Sequence, residues 1–112
     1  MNKTYLLLLL VPLLGCKPKQ QLDNWIATLP SHGTNSSPRL ADLTGDGILD
    51  VVIGAGKNEW QQSDTAVVAL DGTNGKLLWS VAAPNQVTGT STFLDVTKDG
   101  VPDVFIGGRS AF

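Results

Sequence analysis

Two aspartate-rich segments, 53 residues apart, constrain this chain more than any other feature. Asp42-Leu-Thr-Gly-Asp-Gly-Ile-Leu-Asp50 runs into Val51-Val52-Ile53-Gly54, and Asp95-Val-Thr-Lys-Asp-Gly-Val-Pro-Asp103 runs into Val104-Phe105-Ile106-Gly107. Eight of the 13 aligned positions are identical: Asp42/Asp95, Thr44/Thr97, Asp46/Asp99, Gly47/Gly100, Asp50/Asp103, Val51/Val104, Ile53/Ile106 and Gly54/Gly107. Six of the chain's nine aspartates fall in these two loops. A period of this size belongs to solenoids, propellers or arrays, where each unit buries its apolar face against a neighbour.

The segments around the loops read as strands. Val51–Ile53 and Val104–Ile106 are short apolar runs stopped by glycine, the pattern of buried strands. Leu40-Ala41 and Phe93-Leu94 lead into the loops as ends of preceding strands. Thr65–Leu70 and Lys76–Val81 flank Asp71-Gly-Thr-Asn-Gly75, a turn built of residues that tolerate positive φ. Asn58–Asp64 is a polar loop and Ala83–Gly89 a connector. No segment past residue 16 has a 3.6-residue apolar period. Each unit then holds about four strands, the content of one propeller blade. The expected fold is all-β, with β-propeller blades in about two four-stranded units after an N-terminal signal helix.

The loops have the composition of a calcium site. Counting from the first aspartate, Asp42, Thr44, Asp46 and Asp50 occupy positions 1, 3, 5 and 9, as do Asp95, Thr97, Asp99 and Asp103. Alternating oxygen side chains let a tight loop wrap one hard cation. Gly47 and Gly100 stand at the sharp turn, and Ile48 and Val101 can each offer a backbone carbonyl. Clustered carboxylates would repel one another without a cation. An EF-hand needs an acidic residue at position 12 and a following helix. Ile53 and Ile106 stand there instead, so the loop leads into a strand. The alternative to a metal site is an Asp/Gly-rich hairpin turn that binds no ion.

These residues resemble the FG-GAP repeat, also called the VCBS repeat, of integrin-α-like β-propellers. The resemblance implies a metal-ligand role for Asp42, Asp46 and Asp50 and for Asp95, Asp99 and Asp103, with calcium in a structural role. Gly54-Ala55 match the family's Gly-Ala, whereas Gly56 replaces the usual proline, and Gly107-Gly108-Arg109 departs further. Threonine at position 3 weakens the site, so the expected dissociation constant is on the order of 0.1–1 mM. Between the loops, Ala69-Leu-Asp-Gly-Thr-Asn-Gly-Lys-Leu-Leu-Trp79 is similar to the repeat of PQQ-type quinoprotein propellers, with Gly75 in the turn and Trp79 packing between blades. That similarity implies propeller packing. It does not extend to the quinone, because the polar and metal-binding groups near the axis that would hold one are not identifiable here.

The N-terminus carries an address. Lys3 begins a positive n-region and Tyr5–Leu14 form an apolar stretch of about ten residues, half of what a bilayer-spanning helix needs. Leu13-Leu14-Gly15-Cys16 resembles the lipobox of bacterial lipoproteins, which implies lipidation of Cys16 and cleavage before it. Each buried acyl methylene contributes about 0.8 kcal/mol to anchoring. Lys17-Pro-Lys-Gln-Gln21 then forms a polar tether. A lysine after the cysteine favours the outer membrane over inner-membrane retention. The expected division is residues 1–15 as signal peptide, 16–36 as lipidated cysteine, tether and first strand, and 37–112 as FG-GAP/VCBS and PQQ-like repeats.

Composition narrows the partners. With 8 basic and 10 acidic side chains the net charge is −2, and phosphate binding needs a basic face, so nucleic acid is excluded. One cysteine and one histidine allow neither an internal disulfide nor a His-pair or multi-cysteine metal site. His32, in a polar stretch, reads as exposed. Trp25, Trp60 and Trp79 offer either core packing or a sugar-stacking surface, and Arg39 and Arg109 read as surface or loop-bracing residues. No nucleophile elbow, zinc-protease motif or Walker loop occurs. Propellers close with about four to eight blades, so fewer than two units imply an N-terminal piece of a longer protein. The expected function is a lipid-anchored, calcium-binding, extracytoplasmic repeat protein with a binding or adhesion role toward a glycan or protein. The alternative is the start of a propeller enzyme, a quinoprotein oxidoreductase or a polysaccharide lyase.

Overall fold

The computed structural model describes residue 15 and residues 24–109. The expected signal segment apart from Gly15, together with Cys16 and the expected tether, lies outside the described residues. The described chain is all-β. Six strands appear in order: β1 Arg39–Ala41, β2 Asp50–Gly54, β3 Ser63–Leu70, β4 Leu77–Ala83, β5 Thr92–Leu94 and β6 Asp103–Phe105. They follow the apolar runs and stop at the turn residues, as β-branched and small side chains on a pleated surface favour. No helix among the described residues is long and apolar enough to cross a membrane.

Strands β1 to β4 form one antiparallel sheet in sequence order, and β5 and β6 form a second. The repeat is visible in the register. Arg39, Leu40 and Ala41 face Val52, Val51 and Asp50, and Thr92, Phe93 and Leu94 face Phe105, Val104 and Asp103. Every pair shifts by the same 53 residues. The first unit has the four strands expected of it. The second has two among the described residues.

β3 is one of the two inner strands, and its second half is buried on both faces. Val52, Val67 and Ala69 point to one face, where Val87 joins them. The half-buried Phe93, Val104 and Ile106 of the second unit pack there with Trp79, so Trp79 lies between the two sheets. Val68 and Leu70 point to the opposite face, with Val51 and Ile53 beside them. That face is covered by Trp25, Ala27 and Leu29, which alternate with the exposed Asn24, Ile26 and Thr28. An extended segment with period 2 thus lies across the sheet.

Residues 24–36 contain no strand, and the first strand starts at Arg39. Within that stretch only Gly33 makes a bridge, to Gly56. Pro30, Gly33 and Pro38 break the ladder, since proline lacks the donor and glycine weakens a strand interior. Side chains hold this segment instead. Trp25 Nε1 donates to the Gly72 carbonyl at 2.9 Å, and Thr34 Oγ1 donates to the Gly54 carbonyl at 2.7 Å.

Candidate functional site: the paired aspartate loops

Each loop is wound around its own first aspartate. In the first, Gly45 N and Asp46 N donate to Asp42 Oδ1 at 2.7 and 3.2 Å, and Gly47 N donates to Oδ2 at 2.8 Å. In the second, Asp99 N and Gly100 N donate to Asp95 Oδ1 and Oδ2 at 3.2 and 2.9 Å. Asp46 Oδ1 accepts from Ile48 N at 2.8 Å, and Asp99 Oδ1 accepts from Val101 N at 2.9 Å. Asp50 Oδ2 receives Leu43 N and Thr44 N, and Asp103 Oδ2 receives Val96 N and Thr97 N. Two stretches that differ at five of 13 positions thus share all of these hydrogen bonds but one, the bond from Gly45 N to the first aspartate, which Lys98 does not repeat.

The units part at the ninth position. Asp50 is fully buried, and its Oδ1 also accepts from Gly72 N, in the β3–β4 turn, at 2.9 Å. Asp103 is half-buried and the described residues supply no third donor. One carboxylate therefore ties the loop to the neighbouring hairpin, and the other ties only its own loop.

The fourth position was missed in the sequence. Gly45 has φ 75° and Lys98, its counterpart, has φ 60°. A side chain in this left-handed region costs roughly 1–2 kcal/mol. The visible signal was the glycine itself, one of two in the first loop. Lys98→Gly is expected to raise stability by about 0.5–1 kcal/mol, because relief of strain exceeds glycine's added unfolded-state entropy. Urea melts of the two chains would measure it, and no gain would mean that the second loop relaxes away from this turn.

The amides acidify Asp42. The Gly47 N–H above all holds its carboxyl below the ordinary aspartate range; desolvation, the next largest influence, opposes it, and the amides of Gly45, Asp46 and Thr44 add to the lowering. The Thr73 hydroxyl and amide do the same to Asp71. A depressed folded pKa adds stability that is complete above the ordinary value, roughly pH 4, and is lost as pH falls through the lower folded value. The Gly45 and Gly47 amide resonances should therefore titrate with a midpoint below the ordinary aspartate pKa of about 3.9. A midpoint at or above it would show that the loop amides do not hold the charge.

The donor set is all oxygen and suits a hard cation. Among the described residues, however, no three His, Cys, Asp or Glu side chains converge closely enough to hold a metal ion. The carboxylates cap amides instead. Asp42, Asp46 and Thr44 remain at the loop surface with lone pairs to spare, as do Asp95, Asp99 and Thr97, while Asp50 is turned inward. Ile48 and Val101 follow the turn glycines Gly47 and Gly100, at φ 83° and 87°.

The remaining candidates act as braces. His32 Nδ1 lies 2.7 Å from the Pro30 carbonyl, so it carries the proton, and Nε2 accepts from Ser63 Oγ at 3.1 Å. His32 is half-buried rather than exposed. Ser63 is buried and also receives Thr65 N. The pair pins the segment before β1 to the start of β3. Trp60 is exposed, with the Arg109 guanidinium 4.9 Å from its ring centre. Arg109 also pairs with Glu59, a surface ion pair worth about 0–1 kcal/mol. No protein-family model, no curated protein and no solved structure matches this chain.

Proposed function

We propose that this chain is an exported, lipid-anchored repeat module of the FG-GAP/VCBS type, with β-propeller-like blades, whose aspartate loops each take a structural calcium ion. Its role is binding or adhesion outside the cytoplasm. The observation that supports this most is the recurrence of one hydrogen-bonded loop, register included, at the 53-residue offset. Asp42, Asp46, Thr44 and the Ile48 carbonyl would hold one ion, with Asp95, Asp99, Thr97 and the Val101 carbonyl holding the other. Asp50 and Asp103 would complete each shell by exchanging an amide for the cation. Calcium would neutralise the carboxylates and stiffen the loops that set the strand register.

Calcium titration of the full chain in detergent, read by calorimetry and by melting temperature, tests this reading. At ten times the dissociation constant each site should stabilise the fold by about 1.4 kcal/mol. The double variant Asp42→Asn with Asp46→Asn should lose one of two binding events. No heat and no shift at millimolar calcium would sink the metal assignment. Metabolic labelling with a radioactive fatty acid tests the anchor, and label that persists in Cys16→Ala would sink it.

A further inference from the structure

β6 has a free edge among the described residues. The second sheet holds β5 and β6 only, so one side of β6 presents unpaired N–H and C=O groups, a template on which another strand can add. Val104–Gly108 contain neither charge nor proline, so nothing in the sequence blunts this edge. Beside it runs a groove of about 480 Å³, lined by Val67, Trp79 and Val81 of the first sheet and by Val104, Ile106 and Gly107 along and just past β6. No charged side chain lines it. The repeat shows what fits there. In the first unit the same edge, that of β2, is taken by β3, with Val51, Val52, Ile53 and Gly54 facing Leu70, Ala69, Val68 and Val67. At the 53-residue offset those β2 positions are Val104, Phe105, Ile106 and Gly107. Burial agrees, since Val52 is fully buried and its counterpart Phe105 is 49% exposed.

We infer that this groove binds an extended polypeptide segment of another protein, which adds to β6 as an antiparallel strand and sets apolar side chains, two residues apart, on Val67, Trp79 and Val81. Directly opposed residues of an antiparallel pair share a face. A strand in the β3 register therefore turns its Val68 and Leu70 positions to the same side as Ile106 and Val104, which is the side of the first sheet. The groove continues the contact between the sheets, where Val104 and Ile106 already pack in one cluster with Val67 and Trp79. The incoming strand thus extends an apolar layer that exists. Charged side chains at those positions would lose hydration and find no partner. A second copy of this chain is not the occupant. Its β6 is backed by its own β3 and β4, which would have to fill the space that the first copy's β3 and β4 already take. This inference deepens the binding role proposed above and rests on it. It does not depend on calcium or on the anchor.

The probe is a fluorescently labelled peptide with the chain's own β3 sequence, residues 63–71. It is titrated with the full chain held in lipid nanodiscs, so that no detergent micelle competes for the groove, with and without calcium. Fluorescence anisotropy reads binding and amide NMR locates it. The peptide should bind saturably and shift the Val104–Gly107 amide resonances. Val68→Asp with Leu70→Asp in the peptide should weaken binding by about tenfold or more, and so should Val81→Lys in the chain. Val81 is 52% exposed, so its replacement alters the groove without unfolding the sheet. Methylating the peptide's backbone nitrogens at positions 68 and 69 should abolish binding, because adjacent N–H groups point to opposite edges and one of them must lie on the ladder. Absence of saturable binding would overturn the inference. So would binding that survives the methylation or Val81→Lys, or binding that shifts only amides away from β6. Peptide binding without calcium binding would remove only the metal assignment, and calcium binding without peptide binding only this inference.

Discussion

Asp50→Ala is expected to cost about 3–5 kcal/mol, because it strands three amides that now share one buried carboxylate. Asp103→Ala should cost only about 1 kcal/mol, since its two amides lie near solvent and can turn to water. Folded domains are stable by roughly 5–15 kcal/mol in total, so the first variant should populate the unfolded state at room temperature. Urea melts with a chelator present measure both and separate the hydrogen bonds from any bound ion. Equal losses at the two positions would show that the Gly72 link contributes nothing. Asp50→Asn should recover part of the loss, as the amide keeps the shape but turns a donor toward one of the N–H groups.

Gly72→Ala should be of similar size, about 3–5 kcal/mol. A Cβ at this position would fall inside the van der Waals radius of the Leu49 carbonyl oxygen. The neighbour is backbone and cannot rotate away, so the turn must move as a whole. That movement would break Gly72 N to Asp50 Oδ1 and Trp25 Nε1 to the Gly72 carbonyl together. Near-ultraviolet circular dichroism should therefore lose part of its tryptophan signal along with stability. An alanine variant that keeps both would place the clash elsewhere than at Leu49.

The strands were legible because their signals are local. Val51–Ile53 and Thr65–Leu70 are β-branched or small apolar runs between turn residues, and Asp71–Gly75 carries its turn chemistry within five residues. The loop pattern was legible because it occurs twice. What could not be read depends on contacts between distant positions. Asp50 looks the same as Asp103 in sequence, and it is a turn 22 residues on that makes one a buried tie and leaves the other open. Gln86 sits in an unremarkable connector and lines a cleft only when the chain brings it beside Glu59 and Arg109. Trp25, Ala27 and Leu29 alternate as the first strand expected within residues 16–36 would, but Pro30 interrupts the run and the segment covers the sheet rather than pairing with it. His32, expected in solvent, is half-buried because Ser63 lies opposite it.

That covering segment gives the molecule a direction. Trp25, Ala27 and Leu29 occupy one face of the first sheet, and Trp79 with Val67 leaves the other for sheet-on-sheet contact. Copies of a unit that could stack front to back would offer both faces and grow into an open fibre, the hazard of any head-to-tail contact that does not close. Here the chain blocks the front with its own residues, so additions reach it from the Trp79 side alone.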